Sequence, residues 1–504
     1  MSEEVASYRR ILKTSSIIGG SSVINILIGL ARTKVLAMLL GPSGVGLISL
    51  YTALMSTASS IASMGIGTVG TRQIAEAHAN EDVHALAVVR RSMFWGALLL
   101  ACAGALVVWS LREFLAVRVL GGIKHADIVG WLALGVAFSV ASASQGALIQ
   151  GMRQIGDIAR ISVYGSILNT ILGIGLLWQW GSVALWAFLL IGPLFNFLLG
   201  HLYVSRLPKV QPGKITVQEL SRQWKMLLRL GIPFMGAGLA NTLVQLWIRM
   251  SVSDQLGLDA VGHFQAAWAI SMQYIGFVLG AMVADYYPRL TGVINDKVAA
   301  SRLVNEQTEI ALLLSAPVFI AMIGLTPWIV HLLYSPEFAP AIEVLRWQIL
   351  GDVLKVVSWP LGFVILASGA GKVFFWTETS TLLLMGGLVA GLISSMGLEI
   401  TGIGFLAAYA YYLPLVYFLA WRRIQFAWSA TNIKLLSAAF LICVWIVLLS
   451  RQSSLAGEIT AIIMASVFSL YTLSRLSRMS NVSGPVRRLG NLGRTLTTKL
   501  DFKQ

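Results

Sequence analysis

Charge is scarce in this chain. Asp, Glu, Lys and Arg make up 12% of its 504 residues, about half the share of an ordinary soluble domain. Hydrophobic residues reach 57%, and the mean hydropathy is +0.77. This composition excludes a soluble enzyme, a disordered chain and a nucleic-acid-binding domain, because a water-soluble fold built from it would carry large apolar patches outside. Cysteine is nearly absent. Cys102 and Cys443 lie inside apolar runs, so no disulfide framework is implied and both read as small buried hydrophobes. Acids are the scarcer charge, with 22 Asp and Glu against 37 Lys and Arg, a net +15. Enzyme signatures are missing as well. The sequence has no Walker loop, no metal-ligand cluster and no paired acids in a loop, so it reads as a non-enzyme without a bound cofactor.

What is present is a succession of apolar runs. A membrane helix needs about 20 mostly apolar residues. Such runs fall near 14–40, 44–71, 92–111, 128–152, 161–179 and 183–205, and again near 230–253, 260–285, 310–335, 343–371, 373–397, 401–421, 435–450 and 459–474. The sequence thus predicts an all-α polytopic membrane protein with about 14 transmembrane helices. Arg9, Arg10 and Lys13 precede a first run with no small-residue cleavage site, which reads as an uncleaved helix. An even count puts both termini on one side, and the segments of that side hold 28 Lys and Arg against 5 on the other. By the positive-inside rule both termini are expected in the cytoplasm. The pI near 10 is therefore mostly topology, with a basic tail able to meet anionic lipid headgroups, and it is no sign of nucleic acid. Four cations stay unexplained inside spans: Arg32, Lys34, Arg249 and Lys355.

External loops are too short for a catalytic domain. The longest connection, 206–229, contains Thr216-Val217-Gln218-Glu219, a capping-box pattern, followed by Trp224, Leu227 and Leu228 at helical spacing with Arg222, Lys225 and Arg229 on other faces. It reads as a basic amphipathic helix on the cytoplasmic surface. The expected organisation is an N-terminal lobe over 1–205, the linker helix over 206–229, a C-terminal lobe over 230–425, two further helices over 426–474 and a basic tail over 475–504. Leu40-Gly41-Pro42-Ser43-Gly44-Val45-Gly46 resembles Leu256-Gly257-Leu258-Asp259-Ala260-Val261-Gly262, displaced by 216 residues. Six crossings per copy would make this a parallel repeat, an arrangement that places a substrate cavity between two lobes.

An ionisable side chain inside a span costs roughly 2.5–3.5 kcal/mol or more and normally faces a cavity. In the first helix Ser22, Asn25, Gly29 and Arg32 form one stripe; in the seventh, Asn241, Gln245 and Arg249 do. Guanidinium groups favour bidentate pairing with phosphate or carboxylate, so Arg32 and Arg249 point to an anionic substrate group, with Asn25, Asn241 and Gln245 beside them. The bland alternative is a structural Arg paired to a buried carboxylate or to helix carbonyls. Lys34 lies off the stripe, where snorkelling competes with substrate contact. Asp352 and Lys355, three apart, either neutralise one another or serve gating or ion coupling. Glu378 is a candidate proton or cation site or a helix N-terminal charge. Asp285 beside Arg289 is a further gating candidate, although an interface salt bridge accounts for it. Pro233, Pro317, Pro360 and Pro414 inside spans imply kinks or breaks.

Leu40-Gly41-Pro42-Ser43-Gly44-Val45-Gly46-Leu47, Asp285-Tyr286-Tyr287-Pro288-Arg289-Leu290, Leu333-Tyr334-Ser335-Pro336-Glu337-Phe338 and Leu350-Gly351-Asp352-Val353-Leu354-Lys355 occur in this order. In them, and over roughly residues 10–425, the chain resembles the polysaccharide transporter family of the MOP (MATE-like) flippase superfamily, within it the Wzx-type O-antigen translocases. The resemblance implies a V-shaped fold of two six-helix lobes, alternating access, and export of undecaprenyl-pyrophosphate-linked oligosaccharide across the bacterial inner membrane. It also implies cationic cavity residues, for which Arg32 and Arg249 fit, and partners in a polysaccharide polymerase and a chain-length regulator. Energy would come from an H+ or Na+ gradient, a substrate gradient or both. The two extra helices depart from the twelve-helix pattern and suit either a lipid-tail groove or an oligomer contact. A multidrug/cation antiporter of the same superfamily would want an acidic or aromatic cavity, and a membrane polymerase or acyltransferase a large outer loop or clustered acids and histidines.

Overall fold

The computed structural model describes residues 2–208 and 215–478. The 209–214 part of the long connection, the basic tail beyond residue 478 and the side chain of Pro233 lie outside the described residues. Helices joined by short turns make up nearly all that is described, with no strand among the described residues. Lipid offers no hydrogen bonds to a free N–H or C=O, and a helix satisfies both within itself. Nine stretches among the described residues are long and apolar enough to cross a membrane. Three of these, Gly19–Ser63, Ile155–Ser205 and Gly371–Ile424, are of double length. Each is divided by a glycine at positive φ: Gly41 at 62°, Gly181 at 56° and Gly397 at 62°, a backbone region that only glycine enters at no steric cost. Pro42 follows Gly41, where its fixed φ suits the first turn of a new helix.

Contacts gather the chain into two compact units, Met1–Gln265 with Leu333–Glu337, and Ala266–Leu332 with Phe338–Gln504. The first holds α1 (Ser2–Ser63, jointed at Gly41), α2 (Ile66–Ala79), α3 (Val83–Ser110), α4 (Arg112–Leu120), α5 (Ala126–Gly151), α6 (Ile155–Trp180), α7 (Leu185–Ser205), α8 (Val217–Leu256) and the first turns of α9 (Leu258–Val293). The second holds the rest of α9, then α10 (Lys297–Gly324), α11 (Thr326–Leu333), α12 (Ala341–Ala367), α13 (Gly371–Met396), α14 (Ile400–Ile424), α15 (Ala430–Gln452) and α16 (Ser454–Arg478).

The internal repeat is written in the backbone. Gly41 and Gly257, Arg153 and Gly369, and Gly181 and Gly397 all have positive φ, and each pair is 216 residues apart. α6 and α13 are both 26 residues long, and α3 and α10 both 28. The seven-residue match seen in sequence is thus one joint of a six-helix unit repeated whole. In the second copy Leu258 takes the place of Pro42, so the glycine alone makes that joint.

The linker helix does not stand apart. Thr216 and Glu219 form the expected capping box, with the Thr216 N–H donating to the Glu219 carboxylate at 2.7 Å and the Glu219 N–H donating to the Thr216 hydroxyl at 3.3 Å. The Thr216 backbone donor, then its hydroxyl and His84, hold the Glu219 carboxyl below the usual carboxylate range. From this cap α8 runs without a break through the linker and the following span. Trp224 docks the linker turns on α3: a Cβ added to Gly96 would lie 2.0 Å from the Trp224 ring. Each of α10, α12 and α14 continues as one helix through Pro317, Pro360 and Pro414, so no break occurs there.

In the second unit α12 is the core. It packs on α10, α14 and α15, and Gly351 and Gly402 allow its close approach to α14. α15 and α16 are built into this unit: Asn432 donates to the Asn305 carbonyl at 2.9 Å, Thr472 to the Leu313 carbonyl at 3.0 Å, and Arg475 pairs with Glu309 at 2.8 Å. Large apolar side chains such as Leu27, Leu99 and Trp178 face outward, the ordinary surface of a helix in lipid and a liability in water.

Candidate substrate and coupling sites

The α1 stripe keeps its polar face. Asn25 donates from Nδ2 to the Ser162 hydroxyl of α6 at 2.7 Å, and its Oδ1 is buried without a donor. A Cβ at Gly29 would meet nothing within 4 Å, so the stripe borders open space one turn further on. Arg32 follows, half-buried, with no hydrogen-bond or ion-pair partner among the described residues. A guanidinium in an apolar helix is costly unless something compensates its charge.

Arg249 of α8 is different. It is 7% exposed, and all three of its guanidinium nitrogens donate. Its Nε donates to Ser49 Oγ at 2.8 Å, its Nη1 to both the carbonyl and the Oε1 of Gln245 at 2.9 Å, and its Nη2 to Gln265 Oε1 at 2.8 Å. Ser49 in turn donates to Gln265 Oε1 at 2.8 Å. The Phe264 ring centroid lies 5.4 Å from Cζ. Among the described residues no carboxylate lies within ion-pair distance, and every acceptor this buried cation uses there is neutral. The repeat explains the contrast with Arg32. At a displacement of 216 residues Asn25 matches Asn241, but Arg32 matches Ile248 and Arg249 matches Thr33. The two arginines are one residue out of register, about 100° apart on the helix, so they do not occupy matching faces of the repeat. Asn241 is exposed, and Gln245 keeps a buried Nε2 that finds no acceptor.

Sequence reasoning missed Ser49 and Gln265. They are repeat counterparts, 216 residues apart, and they touch each other. One turn earlier Gly46 and Gly262, also counterparts, meet so closely that a Cβ on Gly46 would lie 2.2 Å from the Leu258 carbonyl oxygen. A Cβ on Gly262 would lie 2.0 Å from that of Pro42. Two residues in contact with their own counterparts mark a local two-fold axis. The signal available in sequence was a polar residue at the same offset in two spans. Lys34 donates to the Tyr334 carbonyl and His263 contacts the Glu337 carbonyl at 3.0 Å. Both therefore seat the 333–337 strap, and Lys34 does not point along the stripe.

The second unit collects three candidates in one cluster. Asp352 is fully buried; its Oδ2 accepts from Ser271 at 2.6 Å and from Tyr274 at 2.7 Å, while its Oδ1 has no donor. Lys355 makes no ion pair with it. Its Nζ lies 5.6 Å from the Phe405 ring centroid and 5.4 Å from that of Tyr409, with Met272 Sδ at 3.5 Å, so aromatic faces stabilise the ammonium. Glu378 accepts from Tyr412, which packs edge-on against Tyr409. The sequence placed Asp352 and Lys355 on one helix; only the fold adds Glu378 through α14. Asp285 stands apart, exposed in a 3.0 Å pair with Arg289, the surface salt bridge that the sequence spacing allowed.

Long apolar helices with a few buried charges between them describe a multi-pass membrane protein. The model of the polysaccharide biosynthesis protein family matches residues 35–343, and the chain belongs to that family. It is 23% identical over 430 residues, 82% of its length and 99% of the relative's, to a protein of Escherichia coli K12 named lipid III flippase. Its fold is that of MOP-superfamily transporters. It superposes on the lipid II flippase MurJ in an inward closed conformation with a TM-score of 0.68 at 13% identity, covering 92% of this chain and 100% of that one. On an inward-facing multidrug resistance MATE family transporter the TM-score is 0.67 at 18% identity, covering 80% and 94%.

Proposed function

We propose that this protein is a flippase for undecaprenyl-pyrophosphate-linked oligosaccharide, either O-antigen or exopolysaccharide repeat units, moving them from the cytoplasmic to the outer leaflet of the bacterial inner membrane. The observation that carries this is the guanidinium of Arg32, without a partner among the described residues and beside open space at Gly29, which suits a phosphoryl group. The near full-length likeness to a lipid III flippase supports it. We take the chain to cross the bilayer fourteen times with both termini in the cytoplasm, as two six-helix lobes over 1–205 and 230–425. The lipid tail stays in the bilayer while the head crosses by alternating access, and a polymerase with its chain-length regulator consumes the product. Deleting the gene is expected to accumulate lipid-linked repeat units on the cytoplasmic leaflet. Normal appearance of those units outside, unpolymerised, would sink the flippase in favour of a polymerase.

The Asp352, Lys355 and Glu378 cluster is the proposed coupling site to an H+ or Na+ gradient. Asp352→Asn keeps an acceptor for Ser271 and Tyr274 but carries no charge. Export in membrane vesicles is expected to lose its dependence on an imposed ion gradient while thermal stability stays near the parent's. Asp352→Leu is expected to destabilise, since it strands two buried hydroxyls at about 1–3 kcal/mol each. An Asn variant that still responds fully to the gradient refutes the assignment.

A further inference from the structure

We propose that Arg249 is a latch released by the phosphoryl groups of the substrate, with Ser49 and Gln265 as the positioning residues that set its strength. The proposal rests on the flippase reading. Ser49 lies on α1 after the Gly41 joint and Gln265 on α9, and the two helix starts meet at the local two-fold through Gly46 and Gly262. Arg249 ties both counterparts with one guanidinium, through Nε to Ser49 and Nη2 to Gln265. Without it a single Ser49–Gln265 hydrogen bond remains. Every acceptor it uses is neutral, and a phosphoryl group offers two charged oxygens in the fork geometry that guanidinium prefers.

A second observation points to the same ligand. Gln245 is 9% exposed, and its Nε2 has no acceptor among the described residues. A phosphoryl oxygen at Arg249 would accept from that amide, filling a buried vacancy in hydrogen bonding. The anion then draws the guanidinium from Ser49 and Gln265, and the helix starts part. A ligand shifts such an equilibrium only by its differential affinity for the two states, and here the difference is the release of two neutral acceptors. Gln265 is the tuning residue. A carboxylate there would compete with the substrate for the guanidinium, and the latch would need more ligand to open.

The test uses full-length protein in nanodiscs, with Cys102 and Cys443 replaced and spin labels at Ser43→Cys and Asp259→Cys, exposed counterparts beside the two joints. Polyprenyl pyrophosphate should lengthen the label distance, and polyprenol, which lacks the phosphates, should not. Gln265→Ala should lengthen it without ligand, with Ser49→Ala as the second variant should the first fail to fold. Gln265→Glu should hold the short distance and need about tenfold more lipid to open, a shift of the size one charge-assisted contact supplies. Binding is read in parallel from intrinsic tryptophan fluorescence. Parent-like distances and ligand response in all three variants, with binding intact, overturn the latch and leave the flippase reading standing. No binding of polyprenyl pyrophosphate by the parent overturns both.

Discussion

Replacing Arg32 with alanine is expected to lower export of lipid-linked oligosaccharide about a hundredfold, at unchanged abundance in the membrane. Two charge-assisted hydrogen bonds from one guanidinium contribute roughly 3 kcal/mol, and each 1.4 kcal/mol is tenfold. Folding is spared because Arg32 has no partner among the described residues to lose. Arg32→Lys keeps the charge but not the fork, so its export falls between the alanine variant and the parent. The measurement is surface glycan per cell alongside an immunoblot of the membrane fraction. Normal export by the alanine variant removes Arg32 from the site. Arg249→Ala gives a different signature. It strands Ser49, Gln245 and Gln265, so its loss of export comes with a lower melting temperature.

The largest structural effect is expected at Gly262. A side chain there would stand 2.0 Å from the Pro42 carbonyl oxygen, and at Gly46 2.2 Å from that of Leu258. Both obstacles are backbone, so neither yields by a rotamer change. Gly262→Val and Gly46→Val should each push the two helix starts apart, costing about 1–3 kcal/mol or more. The melting temperature falls and export stops. Gly280→Ala is the control, because that position on α9 has open space; there a Cβ favours the helix by roughly 0.5–1 kcal/mol. Equal melting temperatures for Gly262→Val and the control would show that the helix starts do not need this contact.

Much of the fold was legible because lipid imposes simple rules. Apolar runs of one length, a bias of Lys and Arg, and glycine at the joints follow from the solvent and from local sterics. The repeat was legible at Leu40–Gly46 and Leu256–Gly262, where a glycine joint constrains residue type. It was not legible at Arg153 and Gly369, where only φ repeats, or at Gly181 and Gly397, where a lone glycine repeats among residues that differ. Of the site, the stripes on α1 and α8 and the Asp352–Lys355 pair were visible as polar residues in apolar helices. Their partners were not, since Ser49, Gln265, Ser271, Tyr274 and Tyr412 are ordinary residues for a helix and gain meaning only through what they touch.

By itself the sequence determined an all-α multi-pass membrane protein: the absence of charge dictated the solvent, the few buried charges marked the polar positions, and one heptapeptide announced the repeat. The tertiary structure decided what each buried charge does. One residue of register turns Arg249 about 100° from the face that Arg32 occupies. Arg32 therefore borders open space, and Arg249 is locked by three neutral side chains. A helix periodicity specifies direction only to within a face; which neighbour fills that direction is set by packing between segments some 200 residues apart in the chain, as Ser49 and Arg249 are.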